Sequence, residues 1–228
     1  MHLTLVNPKS LSFVILLMAS NFIYASSSQT NTMGLQDVIV VGNNWDGSID
    51  IVSPQNYQLL KKLNAVPDKE KRLDELNSSI KRRITSTFIK EVIGEGHHQM
   101  VDDMFPSNDG RLLFISRPSF ADVIALDVNS GEIVWRTQVE GSRSDHSALS
   151  PDGKIFLVSA STAGKVHAID TRNGDIIAEF ESGDQPHENT YSSDGKLIFH
   201  ASIGKVYLPF TSSWLDWFKG KRYFQIVD

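Results

Sequence analysis

The sequence predicts an all-β fold, a β-propeller of four-stranded blades. Three observations carry that expectation. An Asp-Gly turn recurs at Asp109-Gly110, Asp152-Gly153 and Asp194-Gly195, spaced 43 and 42 residues apart. A second turn recurs at matching places, Ser130-Gly131 and Asn173-Gly174, each with a glycine where a tight hairpin needs a positive φ. Between the turns run short apolar segments, and each unit opens on acids or histidines. A period of roughly 40–50 residues made of short strands marks a propeller, because one four-stranded sheet leaves its faces uncovered and must stack on neighbours.

The elements follow in order. Lys9, the apolar stretch Leu11 to Tyr24 and the small residues Ala25 to Ser28 have the layout of a secretory signal, assigned to residues 1–25. The stretch is short for a membrane span. An uncleaved signal anchor is the alternative, and the one membrane attachment expected. Residues 26–36 read as a polar linker. The first unit, 37–66, has a buried-type strand at Asp37 to Val41, a turn at Trp45-Asp46-Gly47, then strands at Ser48 to Ser53 and Tyr57 to Leu63. It lacks an inner strand.

Residues 67–96 break the period. Pro67-Asp68 opens a helix, the run to Leu76 is rich in charge, and Gly94-Glu95-Gly96 closes the segment. They read as a partly helical insertion forming a surface cap. Arg82 and Arg83 are a solvated face there, or a contact for an anion.

The second blade, 97–141, carries strands at Met100 to Phe105, Arg111 to Ser116, Ala121 to Asp127 and Glu132 to Val139. The third, 142–183, repeats them at Asp145 to Ser150, Lys154 to Ala160, Lys165 to Asp170 and Asp175 to Phe180. The fourth, 184–228, starts with His187 to Ser192 and Lys196 to Ser202. Leu208 to Gly220 then interrupts it, read as an amphipathic helix packed on the rim, before Phe224 to Asp228 resumes the strand. About three and a half blades do not close a ring. The expectation is an incomplete propeller, shortened from a longer protein, with closure by two chains as the second reading.

Composition bounds the function. The 228 residues are 40% hydrophobic and 21% charged, as in one globular domain. A net charge of −5 argues against a nucleic-acid partner. With no cysteine, disulfides, thiolate metal sites and cysteine nucleophiles are excluded. An exported chain without cysteine suits a bacterial periplasm.

The run Ser150-Pro151-Asp152-Gly153-Lys154, an apolar strand, Lys165 to Thr171 and then Asn173-Gly174 resembles the YVTN-type propeller repeat of YncE-like bacterial proteins. The resemblance covers 37–66 and 97–228. It implies an exported, generally seven-bladed propeller used for binding; relatives by fold include lactonases and the propeller subunits of amine dehydrogenases. A second stretch, Ala125 to Trp135, is similar to the tryptophan-docking repeat of quinoprotein dehydrogenases, in which the tryptophan locks neighbouring blades. Here Trp135 is read as a blade-packing residue. The cysteine pair often seen beside the quinone in that family is absent, so the sequence gives no expectation of a quinone cofactor.

Aligning the units by their Asp-Gly turns brings polar residues into register. Asp102, Asp145 and His187 each lie seven before the turn aspartate; Asp103, His146 and Glu188 lie six before. His97 and His98 precede the second blade's inner strand. All are expected at the starts of innermost strands, hence at one mouth of the central channel. Arg117, and Arg143 with it, lies in a loop facing the same mouth, where either can clamp an anion. Imidazole mixed with carboxylate suits a divalent metal such as Zn, Mn or Fe. It also suits acid–base work, with His146 or His187 as base in a lactone hydrolysis. Plain structural hydrogen bonding between blades is the competing role. His167 and His200 are read as packing residues. No local catalytic motif or phosphate loop is present. The function expected first is a binding module for a small ligand or a periplasmic protein partner. A lactonase-like hydrolase and an accessory subunit of a quinone-dependent system are the alternatives, and no residue is assigned as catalytic.

Overall fold

The computed structural model describes residues 35–208 and 212–228. The signal segment expected over 1–25 and most of the linker over 26–36 lie outside the described residues, as do 209–211 of the second interruption. Among the described residues no helix is long and apolar enough to cross a membrane.

Four antiparallel sheets follow one another along the chain. The first holds β1 (Ile39–Asn43), β2 (Ser48–Val52) and β3 (Leu59–Asn64). The second holds β4 (Met104–Pro106), β5 (Leu112–Arg117), β6 (Asp122–Asp127) and β7 (Ile133–Gln138). The third holds β8 (Ser144–Leu149), β9 (Ile155–Ala160), β10 (Lys165–Asp170) and β11 (Ile176–Glu181). The fourth holds β12 (Pro186–Tyr191), β13 (Ile198–Ser202) and β14 (Phe224–Val227). Within each sheet every strand pairs with the next in sequence, as in blades laid down one after another.

The sheets stack face to face, and their cores show it. Ile49, Ile51 and Leu63 of the first sheet pack with Leu113, Ile115, Ile124 and Leu126 of the second. Phe114, Val123, Ala125 and Trp135 of the second pack with Phe156, Val158 and Ile169 of the third. Leu157 and Val166 of the third meet Tyr191 and Ile198 of the fourth. Trp135 joins two blades directly: its Nε1–H donates to the Thr171 carbonyl (3.0 Å) and its ring stacks on Phe114. This is an incomplete all-β propeller, in which β4, β8 and β12 open successive blades.

The period breaks where the sequence says it does. Residues Lys69–Asn77 form helix α1 and Ile80–Phe88 form α2, capped by Ser79, whose Oγ accepts from Arg82 N. A short π-helical segment, Ile89–Ile93, follows. Leu73 and Leu76 pack on Val66, Met100 and Phe120.

Two local expectations are corrected. The strand at Asp37 to Val41 is not of the buried type. It starts at Ile39, and Ile39 and Val41 are exposed, because no other described sheet covers the far side of β1. The interruption over Leu208 to Gly220 is not an amphipathic helix packed on the rim. Its described part is a 3-10 segment, Ser213–Lys219, with Trp214 and Trp217 exposed by 74% and 72%. Their three-residue spacing puts both tryptophans on one edge of a 3-10 turn.

Candidate functional site

Inner strands of three successive blades start at the same end of the stack, and residues at or just before those starts meet there. The Nδ1–H of His146 donates to Asp103 Oδ2 (3.2 Å), and the same nitrogen lies 4.0 Å from Asp102 Oδ2. His187 Nδ1 lies 3.3 Å from Asp145 Oδ2. The two imidazoles meet edge to face, with centroids 4.2 Å apart. The sequence register therefore brings Asp102, Asp103, Asp145, His146 and His187 into one cluster. Glu188 is exposed beside it. It lines an open groove of about 580 Å³ together with Asp103, His146, Asn189 and Tyr191.

Local backbone irregularity aims these side chains. The β8–β9 ladder carries one extra residue between Ser144 and Ser147, around Asp145 and His146. The β12–β13 ladder carries one between Pro186 and Glu188, at His187. A bulge breaks the strict alternation of faces. Adjacent residues such as Asp145 and His146 then share one mouth instead of pointing oppositely.

Electrostatics separates the two neighbouring aspartates. Burial pushes Asp102 up to about 6, despite the nearby His146. Asp103 is also desolvated, but the hydrogen bond from His146 and the Ser147 N–H (2.8 Å) hold its carboxyl below the usual range. The difference is geometric: Asp103 has the direct bonds, whereas Asp102 Oδ2 is shielded from solvent with no hydrogen-bond partner. His146 rises to about 9, chiefly through its bond to Asp103.

The site rests on a further set of groups, of which Asn189, Ser159 and Ser182 were not singled out by the sequence. Asn189 Nδ2 donates to the His146 carbonyl (3.1 Å) and to Ser159 Oγ (2.9 Å), and Ser159 Oγ donates to the His187 carbonyl (2.9 Å). His200, expected to pack, is fully buried and hydrogen-bonded. Its Nδ1–H donates to Asn189 Oδ1 (2.9 Å), and its Nε2 accepts from Ser182 Oγ (2.7 Å). That arrangement suits a neutral ring, and burial pushes the ring down to about 4. Arg143 contacts Asp145 Oδ1 (3.4 Å) and Gln99, so it braces the mouth from behind. A polar residue inside an apolar strand, such as His200 or Ser159, is the one signal that hints at this support.

Three expected site residues are placed elsewhere. His97 stacks on Trp45, with centroids 4.1 Å apart. His98 sits in a small cavity of about 190 Å³ with Leu73, Asn77 and Lys90, where burial and then Lys90 lower its pKa. Both are held away from the mouth because Met100 N donates to the Asn44 carbonyl and Gln99 N to Ser119 Oγ before the chain reaches Asp102. Arg117 is not a loop clamp. It is fully buried, and all its N–H donors are engaged. Nε donates to Asp122 Oδ1 (2.7 Å) and Nη2 to Asp122 Oδ2 (2.8 Å). Nη1 donates to Asp68 Oδ1 (2.6 Å) and the Ala65 carbonyl (3.1 Å), and Nη2 also reaches Asp68 Oδ2 (3.2 Å). Burial opposes its charge, but the two carboxylates outweigh that and raise its pKa.

The arrangement can hold a polar occupant or a cation, and it can retain a proton on His146. No curated protein matches the chain. One family model, for a propeller-type repeat, matches residues 91–215, from the end of the insertion through the second and third blades into the fourth. That is more than half of the 228 residues, and it takes in Trp135 and every residue of the mouth cluster. The chain belongs to the family described as outer membrane protein assembly factor BamB.

Proposed function

We propose that the chain is an exported, YncE-like propeller binding module of the bacterial periplasm, and that it takes a protein partner at the channel mouth, with a small ligand as the other occupant. The observation that supports it most is the convergence of Asp102, Asp103, Asp145, His146 and His187 from three blades beside an open groove. The family description names an assembly factor, which favours a protein partner in the cell envelope. Carboxylates outnumber cationic groups at the mouth, so a segment offering hydrogen-bond donors fits best. The hydrolase alternative has less support. A histidine raised to about 9 is protonated near neutrality and is a poor general base there.

A photoreactive residue tests this reading. At Glu188, on the groove, it should give an adduct in cells that disappears in His146→Ala with His187→Ala. At Asn173, on the exposed turn between β10 and β11 and away from the groove, it should give none. Adducts only at Asn173, or adducts at Glu188 that ignore the substitutions, would contradict the proposal.

A further inference from the structure

We propose that the mouth binds a divalent transition-metal cation, held by Asp102, Asp103 and His146 with His187 beside them. The inference rests on the mouth being a binding site. One donor atom from each of Asp102, Asp103 and His146 lies within 4.8 Å of the others. His146 Nδ1 stands 3.2 and 4.0 Å from the two carboxylates. Those spans bracket the edge of a tetrahedron of ligands, about 3.4 Å for bonds near 2.1 Å. The donors are already spaced to receive an ion.

Asp102 carries the argument furthest. A carboxylate oxygen shielded from water normally has a partner. Asp102 Oδ2 has none, and it faces the nitrogen of His146 at 4.0 Å. A cation between them supplies the missing contact. The Ser147 N–H bond to Asp103 is the kind of outer support that fixes a ligating carboxylate. Imidazole with carboxylate selects Zn²⁺ or Mn²⁺ over Ca²⁺, which takes more oxygens at longer range.

Two rival groups are weaker. Asp145, His146 and His187 are also within 4.8 Å of one another, but Asp145 already carries Arg143. Glu140, His167 and Glu179 form a third group away from the mouth. There Lys165 Nζ bonds both glutamates, at 3.0 and 2.9 Å, and is the resident cation. An ion on Asp102, Asp103 and His146 would staple the second blade to the third.

The test uses the untagged full chain, stripped with a chelator and titrated with Zn²⁺ by calorimetry and thermal unfolding. One equivalent should bind and raise Tm. Asp102→Asn and His146→Gln should each weaken binding by about tenfold or more, and Glu179→Gln should leave it unchanged. Absence of Zn²⁺ binding by the unsubstituted chain overturns the inference, as does unchanged affinity in folded variants. If the variants do not fold, Co²⁺ decides on the unsubstituted chain: strong visible bands of tetrahedral nitrogen and oxygen ligation support the site, and their absence overturns it. The Glu188 adduct, repeated with chelator, separates the two proposals. An adduct from a chain that binds no Zn²⁺ removes the cation and leaves the mouth as a docking site. Zn²⁺ binding without an adduct sustains the cation and removes the partner.

Discussion

Gly131 and Gly174 occupy the same place in successive blades, and both have positive φ, 74° and 80°. Their surroundings differ. A Cβ on Gly131 would meet nothing within 4 Å, whereas one on Gly174 would lie 2.7 Å from the Trp135 ring. Gly131→Ala should therefore cost only the left-handed strain, about 1–2 kcal/mol. Gly174→Ala should add about 1–3 kcal/mol of overpacking, which urea unfolding of the two variants will separate. His200 sets a pH dependence at the same scale. Its ring is neutral in the fold, with a pKa near 4 against about 6.5 in the unfolded chain. The unfolded state thus binds the extra proton between those values. Stability from this group is complete above about pH 6.5 and falls as pH drops toward 4, by about 3 kcal/mol in all. His200→Gln should flatten that part of the profile, measured by unfolding at pH 7.5 and 4.5; an unaltered difference between the two pH values would count against the neutral ring.

At the scale of elements, the buried guanidinium of Arg117 ties the helical insertion to the second blade, beside the packing of Leu73 and Leu76. Arg117 at the end of β5 joins Asp68, just before α1, to Asp122 at the start of β6, and Arg136 of β7 also contacts Asp122. Removing the cation leaves Asp122 buried with less compensation, a loss of about 3–5 kcal/mol. Arg117→Met should accordingly lower stability by that order. It should also speed amide exchange across residues 69–88 more than across β9 and β10. Exchange that rises equally everywhere would mean the arginine does not specifically anchor the helices. This anchor was not legible in the sequence. Its partner Asp68 stands 49 residues away, in the segment that departs from the repeat. The bulges at Asp145–His146 and His187 were equally hidden, since one extra residue inside a polar run changes no pattern of apolar alternation. The register of the mouth residues was legible all the same, because it depends on distance from an Asp-Gly turn and not on the exact pairing of strands.

Across the whole molecule the blades differ in what covers them. The second and third sheets are packed on both faces. The outer two show apolar surface: Ile39, Val41, Leu59 and Leu60 on the first, Leu197, Phe224 and Ile226 on the fourth. Uncovered sheet faces and free edges promote association. The chain should form oligomers at micromolar concentration in sedimentation velocity, and Phe224→Ser with Ile226→Ser should shift it toward monomer. A pure monomer before substitution would show that these faces are tolerated by water. The repeat period announced this architecture, but it said nothing of which faces would lie open, because every unit carries the same apolar strands whether or not a neighbour is present. Trp135 adds a mechanical consequence. Its indole clasps the second blade to the third through the Thr171 carbonyl and the close approach of Gly174. Drawn out from its two ends, the chain should shed its outer sheets at low force and surrender this bolted pair last, as a single late event in the extension trace.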